Sequence, residues 1–442
     1  MRYWLRRYKF GAETDEENTF AAIGPVGDLC TFTPLYDRTV MKYIIFIASI
    51  SAFCQVWGQA PDAARIRQHI RVLASDSLLG RGSGTSGEVM AASYIENHFK
   101  ALKLTPKGEQ GYYQSFPFKG GAHGTGREGV ARNIIGFIDN KAPSTIVIGA
   151  HYDHLGLGHD GNSLDANAQD KIHNGADDNA SGVAGVLELA RYYQTNKVKE
   201  KNNFLFICFS AEELGLYGSK YFTEHPTVPL TSINFMINLD MIGRYETAKG
   251  LSVSGTGTTA LWEPILKETA GTLLVKTDSS GMGPSDHASF YLKSVSALHF
   301  FTGSHTDYHK PSDDWEKINF EGEREVLNLI IRVIEKAEAQ PKVTFQATKN
   351  RSLGAARAFK VTMGVMPSYT ADAEGLVVDG VTEGKPAQKG GIQAGDVIIQ
   401  MGDIPVKGMQ SYMEALGKFN KGETIDVKIK RAGEEKILKV TF

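Results

Sequence analysis

Cysteine is scarce in this chain of 442 residues, which contains only Cys30, Cys54 and Cys208. So few cysteines exclude the disulfide-dense scaffold that is typical of small secreted domains. Cys208 lies in the apolar run FLFICF, where it is most simply a small buried hydrophobic residue. If a leader is removed near residue 60, as argued below, Cys208 alone remains and no intramolecular disulfide can form.

An excess of charge is also lacking, since 48 Lys and Arg residues nearly balance 50 Asp and Glu residues and the net charge is −2. This balance gives no reason to expect nucleic acid as a partner. A hydrophobic content of 42% and a charged content of 22% are ordinary for a globular protein, and the length predicts two or three domains. The chain contains neither an internal repeat nor a low-complexity tract.

The chain lacks an apolar run long enough to span a bilayer comfortably. Residues 43–54 are apolar, follow a short basic start at Met41 and Lys42, and precede the small residues Gly58 and Ala60. This layout is typical of a secretory signal peptide. We therefore predict a disordered upstream extension over residues 1–40, a signal peptide over 41–60, and export to a bacterial periplasm, envelope or medium. A short membrane anchor is the alternative.

Short apolar runs alternate with helical patterns in the middle of the chain: NIIGFI, STIVIGA, NFLFICF, INFMINL and VSALHFF. This alternation predicts an α/β fold, with a mixed, largely parallel sheet between layers of helices. From about residue 353 the pattern becomes strand-rich with glycine turns. We predict a first domain over residues 61–340, a linker over 341–352 and a small β-rich domain over 353–442.

A Gly-rich stretch, DSLLGRGSGTSG, occupies residues 76–87. It lacks the Gly-Lys-Ser/Thr ending of a phosphate-binding loop and follows no predicted strand. We interpret it as a loop.

Metal-ligand residue types follow the predicted strands: His151, Asp153 and His154; Glu212 and Glu213; Asp240; and His305, Asp307, His309 and Asp313. Asp177 and Asp178 precede an amphipathic helical pattern. Strand ends of an open α/β sheet form ligand sites, and buried acids are costly to desolvate without a cation among them. Histidines with carboxylates suit catalytic zinc, with cobalt or manganese as alternatives. The number of carboxylates, one of which can bridge, favours two ions.

Six motifs resemble those of the co-catalytic di-zinc aminopeptidases, in the same order, over about residues 65–340: GAHYDHLG, GADDNASG, SAEELGLYGS, NLDMIG, SDHASF and YHKPSDD. That family also includes glutamate carboxypeptidase and the glutaminyl cyclases. The resemblance implies an exported aminopeptidase that acts on peptides with a free N-terminus. A carboxypeptidase or a cyclase on the same fold is an alternative, and an inactive peptidase domain serving peptide binding is another. Cyclases usually lack the histidine found here at His151, which favours two zinc ions.

The resemblance also implies a role for each motif residue. The zinc ligands would be His151 and Asp240 at one ion, Glu213 and His309 at the other, and Asp178 between them. Glu212 would be the general base that activates a water bridging the metals, and Asp153 would orient His151.

Other polar residues near these motifs receive lesser roles. His305 competes with His309, which we prefer because Asp313 follows it by four residues. Three histidines are interpreted as loop residues or supporting residues outside the ligand set: His154, His159 and His173. Ser285, Asp286 and His287 are predicted to line the pocket without binding metal, and residues 155–174 to shape it.

The C-terminal region resembles a PDZ domain of the bacterial protease type, on the stretches VTMGVMPSY, AQKGGIQAGDVIIQMGDIPV and MQSYMEALGKF. PDZ domains bind a peptide C-terminus by strand addition. The resemblance implies that the carboxylate would lie near Met363, Gly364 and Val365.

Overall fold

A computed structural model describes residues 60–119, 128–165, 167–348, 361–367, 375–381 and 384–442. The predicted upstream extension, and the predicted signal peptide up to residue 59, lie outside these residues. The helices are α1 (Ala63–Leu73), α2 (Ser86–Ala101), α3 (Gly182–Thr195), α4 (Tyr217–Glu224), α5 (Trp262–Thr269), α6 (His287–Tyr291), α7 (Phe320–Glu338), α8 (Pro386–Lys389) and α9 (Met409–Leu416). No helix in this part of the chain is long and apolar enough to cross a membrane.

The first sheet contains the strands β1 (Thr105–Pro106), β2 (Tyr113–Lys119), β3 (Glu128–Ile138), β4 (Thr145–His151), β5 (Asn203–Phe209), β6 (Ile233–Leu239), β7 (Leu251–Ser254), β8 (Val275–Asp278) and β9 (Ala297–Phe301). Their order is β1-β3-β5-β4-β6-β9-β7-β8, and β2 also pairs with β3. The central strands β5, β4, β6 and β9 are parallel, whereas β3 and β7 join them antiparallel. The predicted mixed, largely parallel sheet is confirmed.

The central strands are buried on both faces, which explains why they read as continuous apolar runs. Every residue of β4, β5 and β6 is buried. Phe206 belongs to the core cluster that includes residues of α1, α3 and α7, whereas its neighbour Leu205 belongs to a second cluster with Phe222 of α4 and Phe290 of α6. Helices therefore cover both faces of the sheet, and Cys208 is a buried residue of the first cluster.

The C-terminal domain has its own sheet and core. Its strands are β10 (Val365–Pro367), β11 (Leu376–Val381), β12 (Val397–Met401), β13 (Ile404–Pro405), β14 (Thr424–Arg431) and β15 (Glu434–Thr441). Their order is β10-β11-β12-β14-β15, with β13 beside β12. Met363, Val378, Ile398 and Val427 are fully buried in its core. The predicted small β-rich domain is confirmed, and β10 lies at one end of the strand order.

The first part of the predicted linker packs against the first domain. Val343 is buried in the main core cluster, and its N–H donates to Asn234 Oδ1 at 2.8 Å. The N–H of Gln346 donates to the Thr258 carbonyl, also at 2.8 Å. Val343 and Gln346 therefore contact the first domain, although the sequence of this stretch is polar, and the bounds of the domains stay a prediction.

A polar network ties the end of α7 to the start of β5. Glu338 Oε1 accepts hydrogen bonds from the N–H and the Nδ2 of Asn202, both at 3.0 Å. Asn202 Oδ1 in turn accepts from Asn234 Nδ2 at 3.1 Å. Burial raises the pKa of Glu338 to about 7, and the nearby charge of Glu200 adds to the rise.

We expect Glu338→Gln to change how stability depends on pH. Because the pKa of Glu338 is raised in the folded state, its contribution to stability is present below about pH 4.5 and is lost as the pH rises through 7. Gln keeps the acceptor for Asn202 and cannot ionise. The variant should therefore gain about 1 kcal/mol relative to wild type between pH 4.5 and 8, a figure already reduced for solvent screening. Denaturant unfolding at both pH values measures it, and a parallel pH dependence of the two proteins would contradict it.

Candidate metal centre

The predicted ligands converge at the carboxyl ends of the parallel strands. His151 is the last residue of β4, Glu212 and Glu213 follow β5, and Asp240 follows β6. Asp178 lies in the helical turn Ala176–Ser181 that leads into α3. His309 lies in the loop between β9 and α7. Parallel strands end at the same edge of the sheet, so residues far apart in sequence form one cluster.

Asp178 lies at the centre of this cluster, with its two oxygens directed at different partners. Oδ1 is 3.3 Å from His151 Nε2, which is 3.4 Å from Asp240 Oδ1. Oδ2 is 3.3 Å from His309 Nε2, which is 3.1 Å from Glu213 Oε2. Each oxygen thus belongs to a separate group of one imidazole and one further carboxylate, the arrangement that a bridging ligand needs.

The neighbouring acid, Asp177, is turned away from this cluster. Its Oδ1 accepts the N–H of Gly243 at 2.7 Å and its Oδ2 lies 3.1 Å from His305 Nε2. Asp313 Oδ2 accepts the main-chain N–H groups of both Asp177 and Asp178, at 2.9 and 3.1 Å. The doubled acids therefore have different environments. His305 is paired with Asp177, and the preference for His309 as a ligand stays a prediction.

Asn162, in the loop over residues 155–174, supports the second group. His309 Nδ1 lies 2.8 Å from the main-chain oxygen of Asn162, which fixes the tautomer and leaves Nε2 free to face the carboxylates. Asn162 Nδ2 donates to the Glu213 main-chain oxygen at 2.7 Å. We predicted that this loop shapes the pocket, and the structure places it against His309 and Glu213. The sequence carried no signal for Asn162.

His154 lies closer to the cluster than its interpretation as a supporting residue suggested. It is buried, and its Nδ1 is 2.7 Å from Glu213 Oε1 and 3.8 Å from Asp178 Oδ2. It could therefore complete a second set of metal donors with these two carboxylates. The sequence pattern did not predict this contact. His154 comes three residues after His151, so in an extended segment their side chains would point to opposite faces.

Asp153 contacts the main chain of Glu212 as well as the ring of His151. Its Oδ1 accepts the main-chain N–H of Glu212 at 3.1 Å, and its Oδ2 accepts Ser83 Oγ at 2.8 Å. His151 Nδ1 is 3.2 Å from the main-chain oxygen of Asp153 but 3.8 Å from its carboxylate. The contact that orients the imidazole is thus made chiefly by the main chain. Burial raises the pKa of Asp153 to about 7.

The cluster concentrates negative charge in a buried place. Burial alone would lower the pKa of His151, yet the charges of Glu212 and Asp240 hold it well above its ordinary value. The pKa of His309 is raised in the same way by Glu213, again against the effect of burial. Burial raises the pKa of Glu212 well above its ordinary value. The negative carboxylates thus favour the protonated, positively charged form of both imidazoles. A cluster of donors that attracts positive charge in this way fits divalent cations.

The remaining predicted residues lie around the cluster. Asp286 and His287 are fully buried, His287 stacks on His299 at 4.5 Å, and Ser285 Oγ accepts from Asn238 Nδ2 at 2.7 Å. His159 is exposed and paired with Asp170, and His173 is buried against Ser163. The four acids and histidines among them, Asp286, His287, His159 and His173, are not among the residues that face the two oxygens of Asp178.

Two family models match this chain: Peptidase family M28 over residues 133–334 and a PDZ domain over residues 333–442. Aminopeptidase YwaD of Bacillus subtilis is 29% identical over 243 residues, which make up 50% of this chain and 49% of that protein. The chain thus spans about half the length of this curated relative. The first match contains all five predicted zinc ligands.

Solved structures show the same fold. LapB from Legionella pneumophila has a TM-score of 0.51 at 22% identity, covering 65% of this chain and 74% of that one. Porphyromonas gingivalis glutaminyl cyclase has a TM-score of 0.52 at 19% identity, covering 63% and 99%. At these identities the likeness establishes the fold alone.

We expect the metal-free protein to take up about two zinc equivalents per chain. His151→Ala should retain about one, because it removes a donor from one group, whereas Asp178→Ala should retain fewer, because Asp178 serves both. His159→Ala, at an exposed site, is the control and should retain two. Elemental analysis after dialysis measures the content. A fully active wild-type protein with one equivalent would rule out the bridging role of Asp178.

Proposed function

We propose that this chain, which belongs to peptidase family M28 and carries a C-terminal PDZ domain, is an exported aminopeptidase that uses two zinc ions. Family M28 is a family of zinc-dependent hydrolases. The observation that carries the proposal is Asp178, whose two oxygens face His151 with Asp240 on one side and His309 with Glu213 on the other. The substrate would be a peptide with a free N-terminus.

The five ligands would hold zinc, which acts as a Lewis acid toward the scissile carbonyl and the attacking water. Glu212 is the residue placed to move protons. Its main chain is fixed by Asp153, and its carboxylate lies close to His151 and Glu213. As a general base it would accept a proton from the attacking water and return it to the leaving amine.

Two alternatives share this fold. A glutaminyl cyclase is the first, because one of the similar structures is such an enzyme. His151 favours the peptidase, since it pairs with Asp240 to form a second group of donors. An inactive domain is the second alternative, and the presence of all five ligands together with Glu212 argues against it. A panel of aminoacyl anilides, a carboxypeptidase substrate and a peptide with N-terminal Gln separates these activities.

We expect Glu212→Gln and Glu213→Gln to fail in different ways. Glu212→Gln keeps the size of the side chain but removes the basic oxygen, so it should keep both zinc ions and lose a factor of about 10²–10⁴ in kcat. Glu213→Gln replaces a charged ligand that contacts His309 and His154, so it should lose zinc. Zinc content and kcat are measured on the same preparations. The opposite pattern would exchange the two assignments.

The PDZ domain is proposed to hold the other end of the substrate. β10 lies at an end of the described sheet, with Met363, Gly364 and Val365 at its start, so a peptide could add as a further strand. Gly364 has φ 74°, a conformation suited to a tight loop. A long peptide could offer its C-terminus to this edge and its N-terminus to the metal centre.

We expect a chain that ends after residue 348 to keep its kcat/KM on a small aminoacyl anilide and to lose severalfold on long peptides. The end point keeps Val343 and the contacts of residues 341–348 with the first domain. The same two substrates are compared with the full chain, with the melting temperature as control. An equal loss on both substrates with a lower melting temperature would instead assign the PDZ domain a stabilising role.

A further inference from the structure

Arg81 is a fully buried guanidinium in the Gly-rich stretch that we interpreted as a loop. It donates to four main-chain carbonyl oxygens: those of Leu73 at 2.5 Å, Asn174 at 2.6 Å, Tyr152 at 2.8 Å and Gly175 at 2.9 Å. A planar guanidinium with five N–H donors in a fixed fork can hold several acceptors in one geometry. The side chain thus joins separate segments of the chain.

Three of these acceptors belong to the segments that carry the metal donors. Tyr152 lies between His151 and Asp153, and Asn174 and Gly175 come just before Asp177 and Asp178. One guanidinium therefore contacts the end of β4 and the turn that contains Asp178. These are the two segments whose spacing sets the distance between His151 and the central carboxylate.

The main chain around Arg81 holds the same region. The Arg81 carbonyl accepts the N–H of His154 at 3.2 Å, and the Gly80 carbonyl accepts the N–H of Gly156 at 3.0 Å. A Cβ on Gly80 would lie 2.5 Å from the Gly156 oxygen and 2.6 Å from the His173 oxygen, so only glycine fits there. The main chain of this turn is therefore in direct contact with the segments that contain Gly156 and His173.

The turn also adopts a conformation that needs support. Leu79, Gly80 and Arg81 all have positive φ, at 48°, 67° and 50°. Two of the three carry a Cβ, for which this conformation is unfavourable and persists only where the surroundings fix it. Such outliers cluster at functional sites.

Two further residues of this stretch donate to or accept from neighbours of the predicted metal ligands. Ser83 Oγ donates to Asp153 Oδ2 at 2.8 Å. Glu88, at the start of α2, accepts from Tyr152 Oη at 3.0 Å and from Ser210 Oγ at 2.7 Å. The main-chain oxygen of Asp153 lies 3.2 Å from His151 Nδ1. Ser210 precedes Glu212 by two residues in the sequence. Residues 79–88 therefore contact both the segment that follows β4 and the segment that follows β5, and we call this stretch the support of the cluster.

We propose that Arg81 is a positioning residue of the metal centre, which fixes the spacing between the strand end that carries His151 and the turn that carries Asp178. This inference rests on the proposed two-zinc function. The fork of the guanidinium sets the geometry, and a positive charge alone does not replace it. The four hydrogen bonds of Arg81 go to main-chain oxygens, so we expect it to position the donors chiefly through the main chain, while its charge also interacts with those of Asp178 and Glu213.

The test compares Arg81→Lys, which keeps the charge, with Arg81→Met, which keeps most of the length. Zinc affinity is measured by competition with a chromophoric chelator, and the melting temperature of the metal-free protein is measured in parallel. Both variants should bind zinc at least tenfold more weakly than wild type. Arg65→Lys and Arg65→Met are the matched controls, because Arg65 also donates to a main-chain oxygen, that of Ala60, and contacts Glu188. These should stay within twofold.

Different outcomes would overturn different steps. Wild-type affinity in Arg81→Lys would show that charge suffices and would reject positioning by the fork. Unchanged affinity in both Arg81 variants, with a lower melting temperature, would leave a stabilising role only. If the Arg81 variants do not fold, Ser83→Ala decides: it should weaken zinc binding severalfold, and unchanged affinity would reject the support. Failure of the wild-type protein to bind zinc would overturn the proposed function itself.

Discussion

The rest of this structure depends on one constraint, the burial of several carboxylates within a few ångströms of one another. Asp153, Asp178 and Glu213 are buried, Asp240 is partly buried, and all four lie around the rings of His151 and its neighbours. Like charges so close are tolerated only where positive charge compensates them. Part of this compensation comes from the imidazoles, because the surrounding carboxylates raise the pKa of His151 and of His309 against the effect of burial. Two divalent cations would provide more, which is why the proposed function follows from charge as well as from motif.

The same constraint explains how the neighbouring acids are distributed. A bridging carboxylate needs both oxygens free, so the main-chain N–H groups of its turn require another acceptor. Asp313 is that acceptor for Asp177 and Asp178. Asp177 is occupied by Gly243 and His305 and therefore does not compete. The support around Arg81 adds a buried positive charge. Burial lowers its pKa only to about 10, so it stays protonated at neutral pH.

The two domains suit complementary tasks. The metal centre lies at the strand ends of a rigid sheet buried on both faces, where donor geometry is well fixed. In the C-terminal sheet β10 lies at one end of the strand order, and PDZ domains in general bind extended chains at a sheet edge by main-chain hydrogen bonds. An enzyme that removes N-terminal residues changes only one end of its substrate. The proposed binding of the opposite end by the PDZ domain would retain the same peptide through successive cleavages.

The sequence by itself determined the local part of this description. Apolar runs predicted β3 and the four central strands, because strands buried on both faces must be apolar, and helical periodicity predicted the main helices. The strand ends predicted a cluster of histidines and carboxylates, since parallel strands end at one edge. The resemblance to the di-zinc aminopeptidases then implied which of them bind metal: His151, Asp178, Glu213, Asp240 and His309, with Glu212 as the base. Only the tertiary structure decided what depends on contacts between distant segments. The roles of Arg81, Asn162 and His154 arise from main-chain carbonyls and turns whose approach no periodicity encodes. The polar composition of residues 341–352 predicted a linker, whereas the tertiary structure buries Val343 in the core of the first domain.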